Sequence, residues 1–271
     1  MKVVFHFDGA AKLRDEILCP ESDVAAFARL LPEMEVLWHV LKPVTAEVIG
    51  RAPKLKLIQK MGSGVNTIDM ETAKRRGIAV CNLPGTNSRA VAEMTLLLML
   101  SCLRRIPGEL GGRVVGLVGY GAVPAILHPI LEAMGAKVLF WSRSRKNSSF
   151  NEVLSADVVS LHLPLTKETE RLIDPRRLKR GAILVNTARG GLVQEEYLAD
   201  CLRSGHLAAA GLDVLTVEPA APDNPLLSLP NAICTPHVAW LTQETLERSI
   251  AVARENVRRL AAGEALLHRV A

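Results

Sequence analysis

Residues 112–145, GRVVGLVGYGAVPAILHPILEAMGAKVLFWSRSR, constrain the fold more than any other stretch. Positions 114–118 form an apolar run without a helical stripe and predict a buried strand. Gly119, Tyr120 and Gly121 then predict a tight turn, 122–134 a helix ended by Gly135, and 137–141 a second strand. Glycines at such a strand–helix junction let backbone approach a phosphate, and the helix start offers N–H groups and a positive dipole end. A pyrophosphate is therefore expected against Gly119, Gly121, Ala122 and Val123. The fingerprint is incomplete, because Pro124 occupies its third glycine position and the motif reads G-x-G-x-x-P. Proline in a first turn loses no intrahelical hydrogen bond, whereas Pro129 predicts a kink. The competing reading is an ordinary glycine turn.

A chain of 271 residues, 49% hydrophobic, has the core for one large domain or two modest ones. The net charge of +5 comes from scattered Lys and Arg, which argues against a nucleic-acid partner and suits an anionic substrate with a phosphorylated cofactor. Cys19, Cys81, Cys102, Cys201 and Cys234 are odd in number, far apart and without C-x-x-C, so they read as reduced thiols of a cytoplasmic protein with no metal site. MKVVFHFDG reads as a first strand rather than a signal peptide. The apolar run 94–100 is too short to span a bilayer, so no membrane partner is expected.

Strands are predicted at 2–7, 34–40, 55–60 and 78–81, with helices at 22–31, 45–51 and 68–76 between them, implying a small parallel sheet. After the third strand, Ser63 and Gly64 lie in a glycine turn able to form an anion nest, or a plain turn. A long helix from Asn87 or Ser88 to about Arg105 and a boundary near residue 87 follow. Six further strands, at 114–118, 137–141, 157–161, 182–186, 208–212 and 232–235, suit a doubly wound sheet. They end in Gly119, Ser142, His162, Thr187 with Arg189, Asp213 and His237, which in a parallel sheet share one ligand-binding edge. A tail helix spans 242–262. The expected fold is thus α/β with two doubly wound parallel-sheet domains, 1–86 plus 241–271 and 87–240, and a ligand-sensitive cleft between them.

Three residues at that edge suggest chemistry. Arg189 sits before two glycines, where a guanidinium can lie flat on a carboxylate. His237 lies in CTPHVAW, and Glu218 precedes Pro219 as a candidate partner; the bland alternatives are a surface arginine, a structural histidine and a turn. Several segments carry a resemblance: LVNTARGGLVQEEYL (184–198), AAGLDVLTVEPAAPDNPLL (209–227), TPHVAW (235–240), GSGVNTIDMETAKRRGIAVCNLPG (62–85), AVAEMTLLLML (90–100) and ADVVSLHLPLTKET (156–169). Together they resemble the D-isomer-specific 2-hydroxyacid dehydrogenases, a family that includes glyoxylate/hydroxypyruvate reductases and phosphoglycerate dehydrogenases, over nearly the whole chain.

That resemblance implies hydride transfer between NAD(P)H and a small 2-keto or D-2-hydroxy acid, with Arg189, Glu218 and His237 as the catalytic set. It implies substrate carboxylate on the Ser63–Gly64 backbone as well as on Arg189 and His237, and a smaller flavodoxin-like substrate domain beside a Rossmann-type domain. His162, Pro164, Thr169 and Thr187 join the cofactor set, with Thr95 and Asp213 at the nicotinamide end, and a homodimer is implied. The segment between Arg105 and Gly112 is much shorter than the family's, which there often carries a dimerisation arm. The rival is a non-catalytic nicotinamide-dinucleotide sensor or corepressor-like module on the same fold. At the end of the second βαβ strand, Ser142, Arg143 and Ser144 stand where an NAD-specific protein places a carboxylate, so NADP is the expected preference, with NAD possible.

Overall fold

The computed structural model describes residues 1–9 and 11–271. The chain divides into two compact units, one of Met1–Asn87 with Thr242–Ala271 and one of Ser88–Leu241. The chain runs first through β1 (Val3–His6), β2 (Ile17–Cys19), α1 (Val24–Leu30), β3 (Val36–His39), α2 (Ala46–Gly50), β4 (Leu57–Lys60), α3 (Met70–Arg75) and β5 (Ala79–Cys81). All strand pairs are parallel in the order β2-β1-β3-β4-β5, the flavodoxin-like arrangement. β1, β3 and β4 are buried at every position, as strands covered on both faces must be. Asp23, Thr45 and Asp69 each accept a first-turn N–H and start the three helices. β2 was not expected. Its three residues have no alternation to read, and they become a strand only by pairing with β1.

His6, His39 and Lys60 are in register at the carboxyl ends of three adjacent strands, and all three are buried. The His6 ring stacks on Phe27 with centroids 3.8 Å apart. Burial, with a lesser push from Lys42 and a small opposing pull from Asp8, lowers His6 to about 4; burial and then Lys60 lower His39 as well. The unfolded chain therefore takes up protons near pH 6.5 that the folded unit refuses. Stability is complete above about pH 6.5 and declines as pH falls toward 4, by about 3 kcal/mol for His6 alone. Urea midpoints at pH 7.5 and pH 4.5 should differ accordingly. The difference should shrink in His6→Leu; an equal acid loss in that variant would show that the histidine is not responsible.

The second unit follows in chain order: α4 (Ser88–Arg105), β6 (Val114–Val118), α5 (Ala122–Ala133), β7 (Lys137–Trp141), α6 (Phe150–Leu154), β8 (Val158–Leu161), β9 (Ala182–Asn186), α7 (Glu195–Arg203), β10 (Leu207–Leu212) and β11 (Ala232–Cys234). Its six strands are all parallel, ordered β11-β10-β9-β8-β6-β7. β7 and β8 flank β6, so the winding reverses there, and crevices at such reversals bind ligands. α4 buries Ala92, Thr95, Leu98, Met99, Cys102 and Leu103, a helical stripe. It lies against Gly211 of β10, where an added Cβ would stand 2.9 Å from the Leu98 Cβ.

The last helix, α8 (Gln243–Ala262), belongs to the first unit. Asn256 donates to Gln59 of β4 at 2.7 Å in the interior, and Arg254 forks onto Glu16. Beyond it, Val80 donates to Ala271 and accepts from Val270, adding an antiparallel edge to β5. Among the described residues no helix is long and apolar enough to cross a membrane.

Candidate active site

The β6–α5 junction is shaped by two glycines with different demands. Gly119 has φ +100°, and an added Cβ would lie 2.6 Å from the His162 carbonyl oxygen at the end of β8. Only glycine has both the backbone freedom and the room for that approach. Gly121 is the N-cap of α5, supplies no side-chain cap, and has nothing within 4 Å of the position a Cβ would take. Space therefore lies in front of the first-turn N–H groups of Ala122 and Val123, the arrangement a phosphate needs. Pro124 is the buried third residue of α5, where its missing N–H costs nothing. α5 continues through Pro129, whose solvent-facing position lets water serve the carbonyl left without a donor. Tyr120 packs on Phe140 at 4.0 Å and its hydroxyl meets His128 Nδ1 at 2.6 Å, fixing the turn.

At the end of β7 the Ser142 hydroxyl donates to the Arg145 carbonyl at 2.6 Å and accepts the Arg145 N–H at 2.9 Å. Arg145 lies over the Tyr120 ring, which leaves Arg143 and Ser144 exposed at the apex of the turn. After β8, burial lowers His162 to about 3, so the ring is neutral; its Nε2 meets Ser160 Oγ at 3.0 Å. Thr169 closes the following turn by donating to the Pro164 carbonyl at 2.6 Å. Thr187, past β9, shares a 2.8 Å hydrogen bond with buried Thr95 of α4. These residues stand at the carboxyl edge of the sheet, with Thr95 reaching it from α4.

Glu218 and His237 meet. His237 Nδ1 is 2.7 Å from Glu218 Oε2, with side chains 19% and 35% exposed, so the pair is sheltered yet open to a ligand. Glu218 Oε1 accepts the Leu215 N–H at 3.0 Å, which aims the carboxylate. His237 holds φ +55°, a left-handed conformation with a cost for any side chain. Asp213, 1% exposed, supports it. Its carboxylate accepts from the Thr235 hydroxyl at 2.6 Å and from the Val238 and Ala239 N–H groups, while its carbonyl takes the His237 N–H. Burial raises this carboxyl, and the donors work against that rise. Asp213 is thus already committed to the histidine's own turn, a role that spacing alone did not reveal.

Arg189 lies beside them. Burial lowers its guanidinium, and the Glu218 charge opposes this. Its Nη1 donates to the Ala188 carbonyl at 2.6 Å, and Asn186 grips the Arg189 carbonyl at 2.8 Å. Gly190, next in the chain, has no space for a Cβ: the Leu215 carbonyl carbon would be 2.0 Å away. The Arg189 loop and the Glu218 loop therefore touch backbone to backbone. In the first unit, Ser63 and Gly64 form a turn held by Asn82, whose side-chain amide donates to the Ser63 carbonyl at 2.8 Å.

A doubly wound dinucleotide fold bearing a histidine–carboxylate pair and an arginine at one sheet edge defines a class, and comparison with known proteins gives its family. Residues 98–239 match the model of the D-isomer specific 2-hydroxyacid dehydrogenase NAD binding domain. The chain is 38% identical over 253 residues to D-3-phosphoglycerate dehydrogenase of Mycobacterium tuberculosis, covering 82% of this chain and 48% of that one. It is 34% identical over 272 residues to glyoxylate reductase of Aeropyrum pernix, covering 86% and 81%. The structure is similar to that of NAD-dependent formate dehydrogenase from Staphylococcus aureus in complex with NAD, with a TM-score of 0.89 and 25% identity over 100% of this chain and 99% of that one. The chain belongs to the D-isomer-specific 2-hydroxyacid dehydrogenase family. It spans about half the length of the phosphoglycerate dehydrogenases it matches.

Proposed function

We propose that this protein is a 2-keto acid reductase, interconverting a small 2-keto acid and the D-2-hydroxy acid with NAD(P)H. The observation that carries the reading is the 2.7 Å contact between His237 and Glu218 near a half-buried arginine. A sensor that only binds dinucleotide has no use for an oriented proton donor. In this reading the larger unit is the dinucleotide-binding domain and the smaller one the substrate domain. Gly119, Gly121, Ala122 and Val123 hold the pyrophosphate; His162, Pro164, Thr169, Thr187 and Thr95 line the rest of the cofactor's path. The bound nicotinamide supplies the hydride.

The chain's own residues manage charge and protons. His237 donates the proton that the substrate oxygen acquires, since its ring can hold a carboxylate at one nitrogen and carry a proton at the other. Glu218 holds Nδ1 and so presents Nε2 to the substrate. Arg189 binds the carboxylate and faces the developing oxyanion with a fixed positive charge. A panel of 2-keto acids, from glyoxylate and hydroxypyruvate to phosphohydroxypyruvate and larger chains, assayed with NADH and with NADPH, tests this. Turnover of none of them would leave the sensor reading in its place.

For the cofactor we propose a preference for NADPH, with Arg143 gripping the 2′-phosphate and Ser144 donating to it. The support is that both are exposed and uncommitted to the turn that occupies Ser142. Arg143→Ala should reduce the NADPH-to-NADH ratio of kcat/KM by about 10-fold or more, the loss of one charge-assisted contact. Equal efficiency with the two cofactors before mutation would end this assignment. We further propose a homodimer through the larger unit, on which Leu97, Ile130 and Met134 expose apolar surface. A single monomeric species in sedimentation at micromolar concentration would refute it.

A further inference from the structure

We infer that Glu195 is a positioning residue for the Glu218–His237 pair, an inference that rests on the function proposed above. Glu195 opens α7, a few residues beyond Arg189, and its carboxylate reaches out of the helix to the segment that carries Glu218. Oε2 accepts the Thr216 N–H at 2.6 Å and Oε1 accepts the Asn224 side-chain amide at 3.0 Å. Thr216 and Asn224 bracket Glu218 in sequence. Leu215, adjacent to the first contact, is the residue whose N–H aims Glu218, and it also touches Gly190. One carboxylate thus ties both sides of the Glu218 loop to the start of α7, six residues beyond Arg189.

Ordinary helix-end electrostatics does not account for this choice of partners. Glu195 and Glu196 share the first turn of α7, where either would favour the dipole. Glu196 instead faces outward and pairs with Arg171. Glu195 accepts two donors that flank Glu218, as Asp213 accepts donors that flank His237. Its side chain also borders a surface pocket of about 380 Å³ formed with Gly191, Thr216, Val217 and Asn224. Truncating it therefore admits water and opens no void in the core, which separates positioning from folding.

The test compares Glu195→Ala, Glu195→Gln, Glu218→Gln and Glu196→Ala with the unmutated protein, using the best keto acid. Small misplacements of catalytic groups cost up to about 100-fold, so Glu195→Ala should lower kcat by roughly 10- to 100-fold while NADPH dissociation changes by less than about twofold. The high-pH limb of kcat/KM should move in the same direction as it does in Glu218→Gln, because both changes disturb the same carboxylate–imidazole contact. Glu195→Gln keeps an acceptor for Thr216 and should recover most of the rate; Glu196→Ala should match the unmutated protein. The His237 ring titration, followed by NMR, should show the same displacement in Glu195→Ala whether or not any substrate turns over. Wild-type kcat in Glu195→Ala, or a lower kcat with pH limb and titration unmoved, would overturn the role. Absence of turnover in the unmutated protein with a displaced titration in Glu195→Ala would refute the proposed function and leave the positioning role standing. Should Glu195→Ala not fold, Asn224→Ala removes one of the two donors and should give a smaller displacement in the same direction; none would likewise overturn it.

Discussion

His237→Ala should lower kcat for the best keto acid by about 10²–10⁴-fold, the usual cost of removing a general acid. The geometry makes the expected loss specific. Glu218 occupies Nδ1 at 2.7 Å, so Nε2 is the atom left to serve a substrate oxygen. NADPH binding, read by fluorescence, should survive, because the pyrophosphate contacts belong to the β6–α5 junction. The left-handed backbone at 237 complicates the choice of variant. Alanine there bears a cost of about 1–2 kcal/mol, so His237→Asn, which tolerates that conformation, serves as a second measurement. Near-normal turnover in both variants would show that His237 is not the acid.

Arg189→Ala should lower kcat by about 10²–10³-fold, comparable to losing a donor to a developing oxyanion. It should also raise KM, because the same guanidinium holds the substrate carboxylate before the reaction. This double effect distinguishes it from the histidine change, in which ground-state binding should be largely kept. Arg189→Lys restores a charge without the planar fork and should recover only part of the loss. The burial that lowers the guanidinium, against the pull of Glu218, makes the site sensitive to the missing charge: the variant leaves Glu218 with His237 as its partner and no fixed cation from Arg189. An Arg189→Ala enzyme with unchanged KM and reduced kcat would mean that the carboxylate is bound elsewhere.

The sequence by itself determined the local elements and the chemical types at the sheet edge. Strands β6, β7 and β9 are continuous apolar runs bounded by glycine or polar residues, and such patterns are set by neighbours a few positions apart. Gly119 announced a tight approach because its motif is local. The shared edge of the six polar or small strand ends followed from parallel topology and common direction. Tertiary structure alone decided which side chains meet. β2 exists only because β1 offers it an edge. The pairing of Glu218 with His237 depends on two loops converging across 19 residues of chain, and Gly190 is indispensable because Leu215, 25 positions on, lies against it. Asp213 is expected at the nicotinamide end from the resemblance; its three donors around the His237 turn come from residues more than 20 positions on and leave no trace in local spacing. Glu195 carried no signal beyond that of a carboxylate at a helix start, since its partners are a backbone N–H and an amide more than 20 residues away. Periodicity records which face an element buries; the partners of a polar atom are chosen by chain segments that only folding brings within 3 Å.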